Sequence, residues 1–203
     1  MATPVETGTA TRPAPIPCYV SGKGMHATAT TWNFKILVIQ ALESSGLGYD
    51  TRYRYYHPRF PQLESDKLAR LICDPIEYYD TDLPQWLERH AGESDKARLI
   101  TRFMLERDRI FRDEARVAIY CYDEAGFGSG VNSLRFLQAG KPILGFIGEE
   151  DADTGPLNIS NVLQLEIDYP DLFTLRSYRD IRDIPAMVVD WLRDIQAADP
   201  PRT

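Results

Sequence analysis

The chain is short of cysteine, histidine and long apolar runs, and it carries no excess of positive charge. Its three cysteines, Cys18, Cys73 and Cys121, are far apart and odd in number. They fit neither a disulfide framework nor a CxxC metal knuckle, so a reducing, cytoplasmic setting is expected. His26, His57 and His90 show no HExxH or HxH spacing, so no metal site is expected and each reads as a surface or loop histidine. Nothing approaches the roughly 18 consecutive apolar residues of a membrane span, and the opening MATPVETGTATRPAPIP lacks the apolar centre of a secretory signal. With 23 Lys+Arg against 30 Asp+Glu the formal charge is −7. That balance argues against nucleic acid as a partner, because such binding needs a basic surface to displace counterions. It leaves room for one small anionic ligand held by a local cluster of donors. There is no GxSxG elbow, and Cys121, inside an apolar strand, reads as core rather than nucleophile.

What is present suits one globular domain: 203 residues, 43% hydrophobic and 26% charged. Residues 1–15, rich in Thr, Ala and Pro, have little to bury and read as a flexible tail. A domain over 16–198 follows, with a Pro-rich helical insertion at about 57–92 that holds Pro58, Pro61, Pro75 and Pro84 and short helices near 64–72 and 83–90. Ile16 to Gly22 reads as a strand. A helix from about Trp32 to Ser45 follows, its stripe Phe34, Leu37, Val38, Ala41 and Leu42 ending at Gly46. Tyr49 to Tyr56 alternates as a half-exposed strand would. A long helix is expected from about Ser94 to Glu114, a buried strand over Arg116–Tyr122 and a helix over Val131–Ala139. Strands over Pro142–Ile147 and Asn161–Ile167, a short edge strand at Phe173–Leu175 and a closing helix over Ile184–Ile195 complete the order. Alternating strands and helices imply a single-domain, three-layer α/β sandwich. About five parallel strands form its sheet, with helices on both faces and the site at the carboxyl ends of the strands.

Two glycine-bearing loops follow strands and precede helices: Ser21 to Gly24, and Asp123 to Gly130. Both fall on the same sheet edge. Their backbone N–H groups suit an anion nest at a helix start, and Ser129 adds a hydroxyl. Tight turns explain the glycines equally well. Neither loop is a Walker A or GxGxxG fingerprint, so no cofactor is expected. On the long helix, Asp108 falls on the apolar stripe of Ile100, Phe103, Met104 and Phe111. An inward carboxylate needs partners or a task. An ion pair with Arg107 or Arg112, or a stripe that drifts outward, would also account for it.

The order of these elements carries a resemblance. Tyr19-Val20-Ser21-Gly22 gives an aromatic-x-x-Gly turn after the first strand, and Asp108 stands seven residues before Ala115, which opens a buried strand. Gly128-Ser129-Gly130 follows that strand, and Gly140-Lys141-Pro142-Ile143-Leu144 comes after the next helix. In these features, over roughly 16–56 and 106–195, the chain resembles the nucleoside 2-deoxyribosyltransferase superfamily, especially its branch of 2′-deoxynucleoside 5′-phosphate N-hydrolases and CMP hydrolases. The resemblance implies a nucleotide or nucleoside as the small-molecule partner. Gly22, Lys23, Gly128, Ser129 and Gly130 would hold its phosphate, Tyr19 its base or sugar, and Asp108 would act as acid or base. It also implies a homodimer or larger even homo-oligomer, in which Asn158, Ser160 and Asn161 would reach a neighbour's site. The family's nucleophile is a Glu two residues after the second loop glycine, and here that residue is Asn132. An amide cannot form the glycosyl ester on which a two-carboxylate mechanism depends. Asp123 and Glu124 are the nearest substitutes. Two readings follow: an N-glycosidic hydrolase or transferase, and a catalytically inactive relative that binds a nucleotide.

Overall fold

Short runs of buried apolar residues, closed by glycine or polar turns, build the centre of the protein. The computed structural model describes residues 13–23, 28–59, 83–92, 94–149 and 156–198, over 156–159 for the backbone alone. The order is β1 (Ile16–Ser21), α1 (Ala29–Ser45), β2 (Gly48–Asp50), α2 (Thr51–Tyr56), α3 (Leu83–Arg89), α4 (Lys96–Glu114) and β3 (Val117–Cys121). It continues with α5 (Phe127–Gln138), β4 (Ile143–Gly148), α6 (Pro156–Asp168), β5 (Phe173–Tyr178) and α7 (Ile184–Ala198). The strands form one parallel sheet in the order β2-β1-β3-β4-β5. All five residues of β3 are buried, as expected of a central parallel strand covered on both faces.

Two helical layers enclose the sheet. On one face α1 and α7 pack together, and Phe34 of α1 meets Phe146 of β4 with ring centroids 6.0 Å apart. On the other face Tyr19 lies 5.6 Å from Phe136 of α5, and Phe111 of α4 joins the same core. The result is the expected three-layer α/β sandwich. A second, smaller cluster of Trp86, Leu99 and Phe103 joins α3 to α4. Gly46 ends α1 at φ 64°, a left-handed conformation that costs glycine little, and its N–H closes on the Leu42 carbonyl at 3.2 Å.

Three expectations are corrected. Tyr49–Tyr56 is not a strand: β2 stops at Asp50, whose carboxylate accepts from the Tyr53 N–H at 2.9 Å and caps α2. Its aromatic alternation concealed a helical pair, Tyr53 and Tyr56, buried at i and i+3. Asn161–Ile167 lies within helix α6, where Val162 and Leu165 turn inward while Leu163 and Ile167 face solvent. The alternation of Val, Leu and Ile mimicked a strand. The third is the start of α5, four residues earlier than expected, so that the second half of the glycine loop, from Phe127 to Gly130, is helix. The helix near 64–72, Gly24, His26, Cys73 and residues 1–12 of the tail lie outside the described residues.

Candidate functional site

The strand order reverses direction between β1 and β3, and the crevice beyond their carboxyl ends is where open α/β sheets bind ligands. Gly22 and Lys23 leave β1 there, and Asp123 and Glu124 leave β3. Glu124 is committed to the start of α1. One carboxylate oxygen accepts from the Thr28 N–H at 3.0 Å, the Thr28 hydroxyl at 2.8 Å and the Thr31 hydroxyl at 2.6 Å. Lys23 Nζ is 3.5 Å from the other. Burial works to raise the Glu124 pKa, but the hydrogen bonds from Thr31 and Thr28 and the Lys23 charge outweigh it and hold it below the usual carboxylate value. Gly22 is a packing residue here, since a Cβ would meet the Thr31 methyl at 3.0 Å.

Asp123 ties three strand ends together. It accepts from the Gly148 N–H at 2.7 Å and from the Tyr178 hydroxyl, with Cys121 Sγ 3.6 Å away. Burial, followed by the Asp123 charge, pushes the Cys121 thiol up to about 12, which suits the core role expected of it. Asp123 and Glu124, the carboxylates that the resemblance offers as substitutes, are therefore engaged in structure.

Asn132 faces α4, where its Oδ1 accepts from Arg112 Nη1 at 3.1 Å. Arg112 is only 9% exposed, so that amide answers a buried cation. Asp108, one turn before Arg112, is half-buried and makes no ion pair among the described residues. The buried stripe of α4 is Leu99, Phe103, Phe111 and Arg112, with Ile100, Met104 and Asp108 at its margin. Tyr19 is packed between Tyr120 and Phe136 with the Arg52 guanidinium 4.9 Å over its ring. Burial first and the Asp108 charge second raise its pKa well above the ordinary phenol value. Tyr19, Asp108, Arg112 and Asn132 thus belong to the α4 side of α5.

The other side of α5 opens a cleft of about 630 Å³, shared with α6. Asp123, Glu124, Gly130 and Asn161 line it, together with Gly126 and the apolar Tyr122, Phe127, Val131, Leu134, Val162 and Leu165. Asp108 is not among them. The N–H groups of Ser129 and Gly130 donate to the Gly126 carbonyl at 3.0 and 3.3 Å. An anion at this helix start would therefore meet the amides of Phe127 and Gly128, ahead of the first intrahelical bonds. A Cβ at Gly126, Gly128 or Gly130 would meet nothing within 4 Å, and none of the three has a positive φ. Neither packing nor backbone geometry calls for glycine there. Ser160 and Asn161 are exposed residues of α6, not of a loop.

No protein-family model and no curated protein matches the chain.

Sequence reasoning missed the bracing of β1. Because β2 is short, Val20 has no ladder partner on that side; its N–H donates to Asp50 at 3.0 Å and its carbonyl accepts from Arg52. The signal was an Asp-x-Arg directly after a short strand. His57 packs at a tilt against Tyr53, ring centroids 5.5 Å apart, and His90 stacks on Trp86 at 3.9 Å, so both histidines act in local packing.

Proposed function

We propose that this protein binds a nucleoside or nucleoside 5′-phosphate in the cleft between α5 and α6, without cleaving its N-glycosidic bond. The observation that carries the reading is the disposition of the carboxylates and of Asn132. The amide at the position where the resemblance expects a nucleophile answers Arg112, while Asp123 and Glu124 are consumed by strand ends and a helix start. Asn132 is no carboxylate, and the two carboxylates, although they line the cleft, are held by these hydrogen bonds.

Three further features support binding. The cleft lies at the carboxyl edge of a doubly wound sheet, and its volume falls within the roughly 300–1,000 Å³ typical of ligand sites. Its walls are apolar and aromatic, as a base requires. Its floor meets a helix start whose glycines leave the backbone open to a phosphate.

The test is incubation with a panel of nucleosides and 5′-monophosphates, with affinity measured by calorimetry and free base followed by chromatography. Binding without base release is expected, and Gly130→Asp, which puts a like charge into the cleft beside the start of α5, should cost the monophosphate far more affinity than the nucleoside. Base release by the unaltered chain overturns the reading in favour of a hydrolase. Because Asn132 faces Arg112 across α5 from the cleft, Asn132→Glu should leave base release absent on this reading.

A further inference from the structure

Glu124 lines the cleft between α5 and α6, and its two oxygens are unequally employed. Oε2 takes all three hydrogen bonds from Thr28 and Thr31. Oε1 accepts none among the described residues and faces the Lys23 ammonium, 3.5 Å away. That separation exceeds the roughly 2.7–2.9 Å of a charge-assisted hydrogen bond, so each group keeps capacity for a further partner. Both side chains are partly open, Lys23 at 39% and Glu124 at 18%.

The acceptor is built in place before any ligand arrives. Three donors at the start of α1 fix the Glu124 carboxylate, so little of its freedom remains to be lost on binding. An acceptor beside a donor matches two neighbouring hydroxyls: one donates to Oε1 while the other accepts from Lys23. The position suits a sugar. Phe127, the first residue of α5, follows Glu124 by three positions, at most about 11 Å of extended chain. A phosphate at the amides of Phe127 and Gly128 therefore leaves the sugar hydroxyls of the same molecule within reach of Glu124.

We propose, resting on the reading of this cleft as a nucleoside site, that Glu124 and Lys23 bind the 2′,3′-diol of a ribose and make the site specific for ribonucleosides over 2′-deoxyribonucleosides. A missing hydroxyl leaves a charged group unmatched in the complex. Sites that hydrogen-bond a substrate hydroxyl reject the analogue lacking it far more strongly than apolar pockets reject a missing methylene.

The probes are adenosine, guanosine, cytidine and uridine, each titrated calorimetrically into the full chain beside its 2′-deoxy counterpart. At least one ribonucleoside should bind about tenfold or more tighter than its deoxy partner, the scale of one hydrogen bond to a charged group. In Glu124→Gln the donors of Thr28 and Thr31 hold the amide oxygen, so its NH2 replaces Oε1 and the charge is gone. This variant, with an unchanged circular dichroism spectrum, should lose about tenfold in affinity for the ribonucleoside and less than about threefold for the deoxynucleoside. Equal affinity of the unaltered chain for both sugars overturns the proposal and leaves the reading of the cleft standing. A ribose preference that persists undiminished in Glu124→Gln overturns it too, as does an equal loss for both sugars, which would make Glu124 a structural residue only. If none of these probes binds at millimolar concentration, the proposal and the reading of the cleft fall together.

Discussion

At the scale of single side chains, Glu124 shows how a carboxylate at a strand end becomes a structural group. Its carboxylate faces the positive end of α1 and takes three hydrogen bonds there. The folded-state pKa lies below that of the unfolded chain. Its contribution to stability is therefore fully present above the ordinary carboxylate pKa and lost as pH falls through the depressed value. Glu124→Gln should cost about 1–2 kcal/mol at pH 7, the usual scale for losing a charged cap. Urea unfolding of both proteins from pH 7 to pH 3 checks this: the gap between them should close towards the acid end. A gap that stays constant across that range would mean that the charge of Glu124 contributes nothing.

At the scale of elements, glycine separates packing from access. Gly145 in β4 lies beneath the Tyr122 ring, where a Cβ would approach to 2.7 Å. Gly145→Ala should destabilise the sheet by about 1–3 kcal/mol, since the buried ring must move. Gly128 and Gly130, in the first turn of α5, meet nothing. Replacing either by alanine should instead stabilise the chain by about 0.5–1 kcal/mol through helix propensity, because the backbone there is already helical. If that turn receives a ligand, the same two substitutions should weaken nucleotide binding. Thermal unfolding with and without a 5′-monophosphate reads both effects at once. Stabilisation with unchanged affinity would show that the glycines are turn residues only.

The whole molecule leaves apolar side chains on its surface around α5 and α6. Phe127 is 90% exposed and Ile167 71%, with Leu134 and Leu163 also open. Among the described residues, no helix is long and apolar enough to cross a membrane, so a lipid-spanning role for these helices does not account for the exposure. We propose that this surface pairs with a second copy of the chain, as the resemblance implies, in a closed two-fold arrangement. Sedimentation at micromolar concentration should give twice the 23.1 kDa of one chain, and Phe127→Ser with Ile167→Ser should return it to the monomer. A monomer from the unaltered chain counts against the assembly.

Four strands, β1, β3, β4 and β5, and most of the helices are legible in the residue pattern. Buried runs such as Val117–Cys121 and the stripe Phe34, Val38 and Leu42 can be satisfied only by burial, and Gly46 stops its helix wherever that helix packs. The sequence also places an amide, Asn132, where the resemblance expects a carboxylate. Local pattern misled where period-2 and helical readings overlap, as at Tyr49–Tyr56 and Asn161–Ile167. There the competing terms were the Asp50 cap and the inward packing of Val162 and Leu165. Which candidates meet is a matter of contacts between elements. Whether Asp123 and Glu124 are reactive depends on Tyr178, Gly148, Thr28 and Thr31, which come from other elements. Whether Asp108 shares a cavity with the glycine loop depends on which sides of α5 face α4 and α6. Such pairings arise between residues distant in the chain, and no local propensity encodes them.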